Sequence, residues 1–167
     1  MIKIKTALIS VYDKDGILEL AQKLFDNNVE IISSGGTSKY LKENNIKVTE
    51  VGDYTGFSEI FDGRVKTLHP KIHAGILARG EKDSEELKKM GAKKIDLVVV
   101  NLYPFKEEVR KGSSNDEIIE KIDIGGPAML RAAAKNYKYT VAVGDPTDYS
   151  EILSLIHISE PTRLGAI

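Results

Sequence analysis

The sequence predicts an α/β domain on a parallel sheet, and three observations carry that expectation. Residues 7–11 (ALISV) and 95–100 (IDLVVV) are nearly continuous apolar runs, the pattern of strands covered on both faces. Helical spacing follows the first run, with Ile17, Leu20, Ala21, Leu24 and Phe25 recurring at intervals that share one helix face. Strand, helix, strand, glycine-bearing turn and helix then succeed one another over residues 7–44, which is a parallel-sheet signature.

Taken in order, residues 7–11 are the first strand, and Asp15 is expected to cap a helix that closes at Asn27-Asn28. Residues 30–33 are the second strand, Ser34-Gly35-Gly36-Thr37 a turn, and residues 38–44 the second helix. Residues 47–51 alternate weakly and predict a third strand, after which residues 53–57 break the pattern. Residues 84–90 read as an exposed, charged helix stopped by Gly91. The valine-rich run at 95–100 delivers Asn101-Leu102-Tyr103-Pro104-Phe105 at its carboxyl end. Asn115 is expected to cap a helix through Ile122. Asp123-Ile124-Gly125-Gly126-Pro127 leads into another over 128–136, with proline near the start, where its missing donor costs nothing. Residues 139–143 supply the last strand.

With 167 residues, 41% of them hydrophobic, the chain suits one domain with its own core. A net charge of −1 gives no global attraction to nucleic acid or to an anionic membrane, so any basic character that matters is local. Cysteine is absent, which excludes disulfides, thiolate catalysis and cysteine-ligated metals. The first residues lead straight into a strand pattern and no apolar run approaches membrane-spanning length, so a soluble, cytoplasmic protein is expected.

Ligands of open parallel sheets bind beyond the carboxyl ends of the strands, and the polar motifs fall there. Ser10 and Lys14 follow the first strand, Ser34, Gly35, Gly36 and Thr37 the second, and Asn101 and Tyr103 the valine-rich one, while Asp123 and Gly125 open a helix. Glycines before a helix let backbone N–H groups approach a phosphate, and hydroxyls add donors. The run Gly63-Arg64-Val65-Lys66-Thr67-Leu68-His69-Pro70 adds two cations suited to an anionic ligand. Each motif has a plainer reading: a solvated basic loop for 63–70, a tight turn for 34–37, surface exposure for Lys14 and Lys135, a core edge for Tyr103, a helix cap for Asp123. His69 and His73 are four apart, but Pro70 interrupts and no third ligand is evident, so no metal site is expected. The GxGxxG and GxxxxGK[ST] phosphate motifs are also absent. Together the residues describe a basic pocket for a small phosphorylated ligand.

The chain before Leu153 resembles the amino-terminal IMP cyclohydrolase domain of the bifunctional AICAR transformylase/IMP cyclohydrolase family of purine biosynthesis. The resemblance rests on Leu8 to Lys14, Ser34 to Thr37, Tyr54 to Phe57, Asp62 to Pro70, Asn101 to Phe105, Ile122 to Gly126 and Ala132 to Asn136. It implies a methylglyoxal-synthase-like, three-layer parallel-sheet sandwich. It also implies that 5-formamidoimidazole-4-carboxamide ribotide closes to IMP with loss of water, without a cofactor. By matching position, Lys14, Ser34, Gly36 and Thr37 would hold the phosphate and Arg64, Lys66, Thr67 and Asn101 would surround the heterocycle, with Ser10, Gly35 and Gly125 also expected to bind substrate. Lys66 would stabilise the reacting carboxamide and oxyanion, and Tyr103, Asp123 and Lys135 would manage protons. Tyr12 stands where the family commonly has serine, and falls outside the expected site.

The resemblance further implies a homodimeric parent protein whose second domain is a formyltransferase using 10-formyltetrahydrofolate. Neither a nucleic-acid nor a membrane partner is expected. Residues 153–167, beginning Leu153-Ser154-Leu155-Ile156-His157, resemble a translated sequencing adapter, so the domain is expected to span residues 1–152 as a truncated unit and His157 is set aside as a ligand. Two other functions suit the same fold: methylglyoxal synthesis, and nucleotide sensing without turnover as in the regulatory module of carbamoyl phosphate synthetase.

Overall fold

Side-chain alternation in the central strand explains the layering. In β1 (Thr6–Val11), Ala7, Ile9 and Val11 enter one core and Leu8 the other, because successive strand residues face opposite sides of a sheet. The computed structural model describes residues 3–61 and 63–158. β1 pairs in parallel with β2 (Glu30–Ser33) on one side and β4 (Leu97–Asn101) on the other. β3 (Thr49–Glu50) extends the sheet beyond β2, and β5 (Val141–Val143) beyond β4. The result is a five-stranded, wholly parallel sheet in the order β3-β2-β1-β4-β5.

Helices cover both faces, completing the three-layer α/β architecture expected. On the Ala7/Ile9 face, α1 (Ile17–Asp26), α2 (Gly35–Glu43) and α9 (Tyr149–Ile158) contribute Leu20, Leu24, Leu41 and Ile152 to one core. On the Leu8 face, α3 (Val51–Thr55), α4 (Pro70–Leu77) and α8 (Gly125–Lys135) contribute Val51, Ile72, Ile76, Met129 and Ala133 to the other. α5 (Ser84–Lys89) buries only Leu87, and α6 (Phe105–Lys111) and α7 (Asn115–Glu120), which follow β4, bury no residue. Among the described residues, no helix is long and apolar enough to cross a membrane.

Several local expectations change. Asp15 does not cap α1: Gly16, in the left-handed region at φ 66°, precedes it. Phe25, expected on the buried face, is 39% exposed. The Ser34–Thr37 turn is instead the start of α2, with Ser34 at the N-cap and both glycines inside the first turn. Ser114, not Asn115, caps α7, in a reciprocal box in which its hydroxyl accepts from the Glu117 N–H and the Glu117 carboxylate accepts from the Ser114 N–H. α8 begins at Gly125, three residues earlier than expected, and α3, α4 and α6 fall where no helix was expected. α9 runs through the boundary expected at Ile152, with Leu153 partly buried against the first core. The end of the expected adapter-derived segment, 159–167, lies outside the described residues.

One close approach locks α4 to the sheet. Gly75 accepts the Ile95 N–H at 2.9 Å, and a Cβ on Gly75 would stand 2.5 Å from the Lys93 carbonyl oxygen and 3.0 Å from the Ile95 side chain. Backbone cannot yield as a flexible side chain does, so Gly75→Ala is expected to cost about 1–3 kcal/mol through overpacking. Urea unfolding checks this as a lower midpoint at unchanged slope.

Candidate active site

The strand order sets where a ligand can enter. The chain leaves β1 towards β2 and β3, then crosses back to place β4 on the other side of β1. Loops leaving the carboxyl ends of β1 and β4 therefore diverge, and the crevice at such a reversal is where open α/β sheets bind ligands. A cavity of about 950 Å³ opens there.

One end of it is built for an anion. α2 starts at the cavity with Gly35 and Gly36, and the Ser34 side chain makes no capping bond to the helix. The first-turn N–H groups thus face the opening with the positive end of the helix dipole behind them. The Ser34 hydroxyl lies 3.1 Å from that of Ser10. Lys66 completes this end: its Nζ stands 3.1 Å from where a Cβ on Gly35 would be and 3.2 Å from one on Gly63. Both glycines have positive φ, 52° and 85°, so backbone conformation and space together favour glycine on either side of the ammonium. The Glu59 carboxylate is 3.7 Å from Lys66. Lys14 donates to the carbonyls of Val11 and Tyr12, and burial pushes its pKa down despite the opposing field of Asp13.

Two expected ligand groups already have structural partners. The Thr37 hydroxyl, 3% exposed, accepts from the Val11 N–H at 3.0 Å and donates to the Val11 carbonyl at 2.9 Å. The Asn101 side chain accepts from the N–H groups of Tyr12 and Asp13 at 2.6 and 2.9 Å and donates to the Asp13 carbonyl at 2.9 Å. Thr37 ties α2 to the end of β1, and Asn101 ties the end of β4 to the loop after β1. Both line the cavity, but their polar side-chain atoms are engaged in holding its frame.

The opposite wall comes from the β4 loop, α7 and the start of α8. Tyr103, Asp123, Thr67 and Gly125 all border the cavity. Asp123 accepts from the Gly126 N–H at 2.9 Å, so the carboxylate is also a helix cap. Gly125 and Gly126 admit Thr67 Oγ1 and the Asp123 carboxylate so closely that a Cβ at either position would collide with them. Arg64 pairs with Glu120 at 3.1 Å, both side chains mostly exposed. Lys135 is not brought to the cavity. It ends α8, about 15 Å along the helix from Gly125 by helical rise, where Asn136 bonds to the carbonyls of Ile76 and Ala78. His69 Nδ1 accepts the Lys71 N–H and caps α4, and His73 Nε2 is buried without a partner. Among the described residues no cluster of three metal-ligating side chains occurs.

The cavity lining extends beyond the expected residues. Tyr12 borders the cavity although the expected site excludes it, and Phe61 and the α7 side chains Ile119 and Glu120 do so as well. Only Tyr12, directly after β1, had a positional signal. The others reach the cavity through packing that no local pattern encodes.

A family model described as the MGS-like domain matches residues 16–128. The chain belongs to the MGS-like domain family. Its relatives within that family include the bifunctional purine biosynthesis protein PurH of Clostridium perfringens (strain SM101 / Type A), 60% identical over 154 residues, 91% of this chain and 31% of that protein. PurH of Persephonella marina is 55% identical over 162 residues, 96% of this chain and 32% of that one. This MGS-like chain thus spans about a third of the length of the curated relatives it matches. The crystal structure of ForH, 36% identical, superposes with a TM-score of 0.80 over 92% of this chain and 78% of that chain.

Thr37→Val removes the partner of two buried Val11 backbone groups and should cost about 1–3 kcal/mol of stability, seen as a lower melting temperature even without ligand. Thermal stabilisation by ribose 5-phosphate should decline with rising pH once Lys14 starts to lose its proton. Because its pKa is lowered in the folded state, that decline sets in below pH 10.5, the ordinary lysine value. Lys14→Arg should shift this decline to higher pH, since arginine keeps its charge.

Proposed function

We propose that this domain is an IMP cyclohydrolase. The observation that carries the reading is that Lys66, Tyr103 and Asp123 line one cavity with the exposed start of α2. Anion-binding and proton-transferring groups therefore face one ligand. The relatives named as purine biosynthesis proteins support it.

In this reading the ribotide phosphate sits against the N–H groups of α2, the hydroxyls of Ser10 and Ser34 and the Lys14 ammonium. Anchored there, the carboxamide and formamido groups meet as an intramolecular pair. The carboxamide nitrogen bonds to the formyl carbon and gives up one proton, while the formyl oxygen gains charge and then that proton. The resulting hydroxyl leaves as water with the formamido N–H proton as the ring C=N bond forms. The Lys66 ammonium stabilises the developing oxyanion. With Lys135 at the far end of α8, the proton transfers fall to Tyr103 and Asp123. Arg64, Thr67 and Gly125 border the heterocycle, and Thr37 and Asn101 act by fixing the backbone around it.

The same reading takes the protein as a cytoplasmic homodimer. Phe105 and Val109 on α6 are 41% and 48% exposed, apolar side chains outside the cavity lining that a second copy would cover. Any formyltransferase step using 10-formyltetrahydrofolate lies outside this domain.

Incubation with 5-formamidoimidazole-4-carboxamide ribotide should yield IMP, followed by absorbance. Lys66→Ala should lower turnover by a factor on the order of a hundred with an unchanged melting temperature. Near-normal turnover in that variant rules out the role of Lys66. IMP binding without cyclisation identifies a sensor, and methylglyoxal released from dihydroxyacetone phosphate identifies the other enzyme.

A further inference from the structure

Two tilted aromatic rings line the cavity, and one ammonium stands over both. Tyr12 and Tyr103 have ring centroids 5.0 Å apart with planes at 56°, a geometry that aromatic quadrupoles favour. Lys121 Nζ stands 5.4 Å from the Tyr103 centroid and 5.9 Å from that of Tyr12, within cation–π range of both. The three side chains come from three places: the loop after β1, the loop after β4, and the end of α7.

Core packing does not hold these rings, since Tyr12 is 44% and Tyr103 41% exposed. A half-exposed side chain on a loop exchanges among staggered rotamers, and a proton-transferring phenol that does so spends part of its time aimed away from the substrate. The Tyr12 backbone, by contrast, is fixed, its N–H donating to Asn101 Oδ1 at 2.6 Å. Asn101 lies two residues before Tyr103. The end of β4 therefore holds Tyr12, and the Tyr12 ring leans back on Tyr103.

We propose that Tyr12 is a positioning residue for Tyr103, with Lys121 binding the two rings together. A side chain as short as serine at position 12 could not reach the Tyr103 ring. The effect on turnover rests on the cyclohydrolase reading; the ordering of the ring does not.

Tyr12→Ala should lower kcat roughly two- to tenfold, the size of one aromatic contact, with a smaller change in KM, and Tyr12→Phe should retain most of the turnover. In a Tyr103→Phe background Tyr12→Ala should cost nothing further; an equal loss in both backgrounds overturns the proposal. A second readout needs no turnover. In protein labelled with 3-fluorotyrosine, the Tyr103 fluorine resonance, assigned by its loss in Tyr103→Phe, should move towards the free amino-acid position in Tyr12→Ala and stay in place in Tyr12→Phe. A resonance unmoved by Tyr12→Ala overturns the proposal. Absence of IMP formation by the unsubstituted protein overturns the cyclohydrolase reading instead and leaves the fluorine result to judge the contact.

Discussion

The Asn101 amide holds the site together. β1 and β4 lie side by side to their ends, but their connections leave in opposite directions, and here one buried side chain ties the diverging loops with three hydrogen bonds to residues 12 and 13. A neutral amide suits the task because it donates and accepts at once. The loop that carries Tyr12 and Lys14 and the one that carries Tyr103 are thereby registered to each other, and the hydroxyl of Thr37 does the same for α2 and β1. The cavity's dimensions follow from these few polar ties laid over an apolar sheet.

The sheet was legible because burial on both faces leaves an unbroken apolar mark, so β1, β2 and β4 appear in the sequence almost where they lie. Strand order was not, since nothing local says which side of β1 the valine-rich strand will take. α3 and α6 were missed for related reasons. α3 spans five residues and α6 seven, too short for a period to establish itself, and α6 has no buried face to create one. The start of α2 was hidden by its glycines, whose low helix propensity reads as a turn while the loop geometry beside Lys66 favours them.

For the site, the convergence of most of the expected residues on one cavity was legible, whereas the hydrogen-bond partners of each side chain were not. Polar residues at strand ends converge as the parallel topology requires, and twelve-residue gaps in function, such as that between Asp123 and Lys135, are decided by the direction a helix runs. Lys135 shares a helix with the cavity wall but lies at its far end. Thr37 and Asn101 look like ligand-binding groups from residue type alone. Their hydrogen-bond partners are distant in sequence, so their structural duty emerges only from the fold.

α7 forms part of the cavity wall yet places nothing in either core. The two sides of the cavity are therefore unequal in cost of deformation: the β1 and α2 side moves only with the sheet, whereas the α7 side belongs to a unit whose opening exposes little apolar area. Contacts made on that side are discounted by the entropy of ordering the segment that makes them. Deforming the α7 side therefore uncovers less apolar surface than deforming the sheet-anchored half.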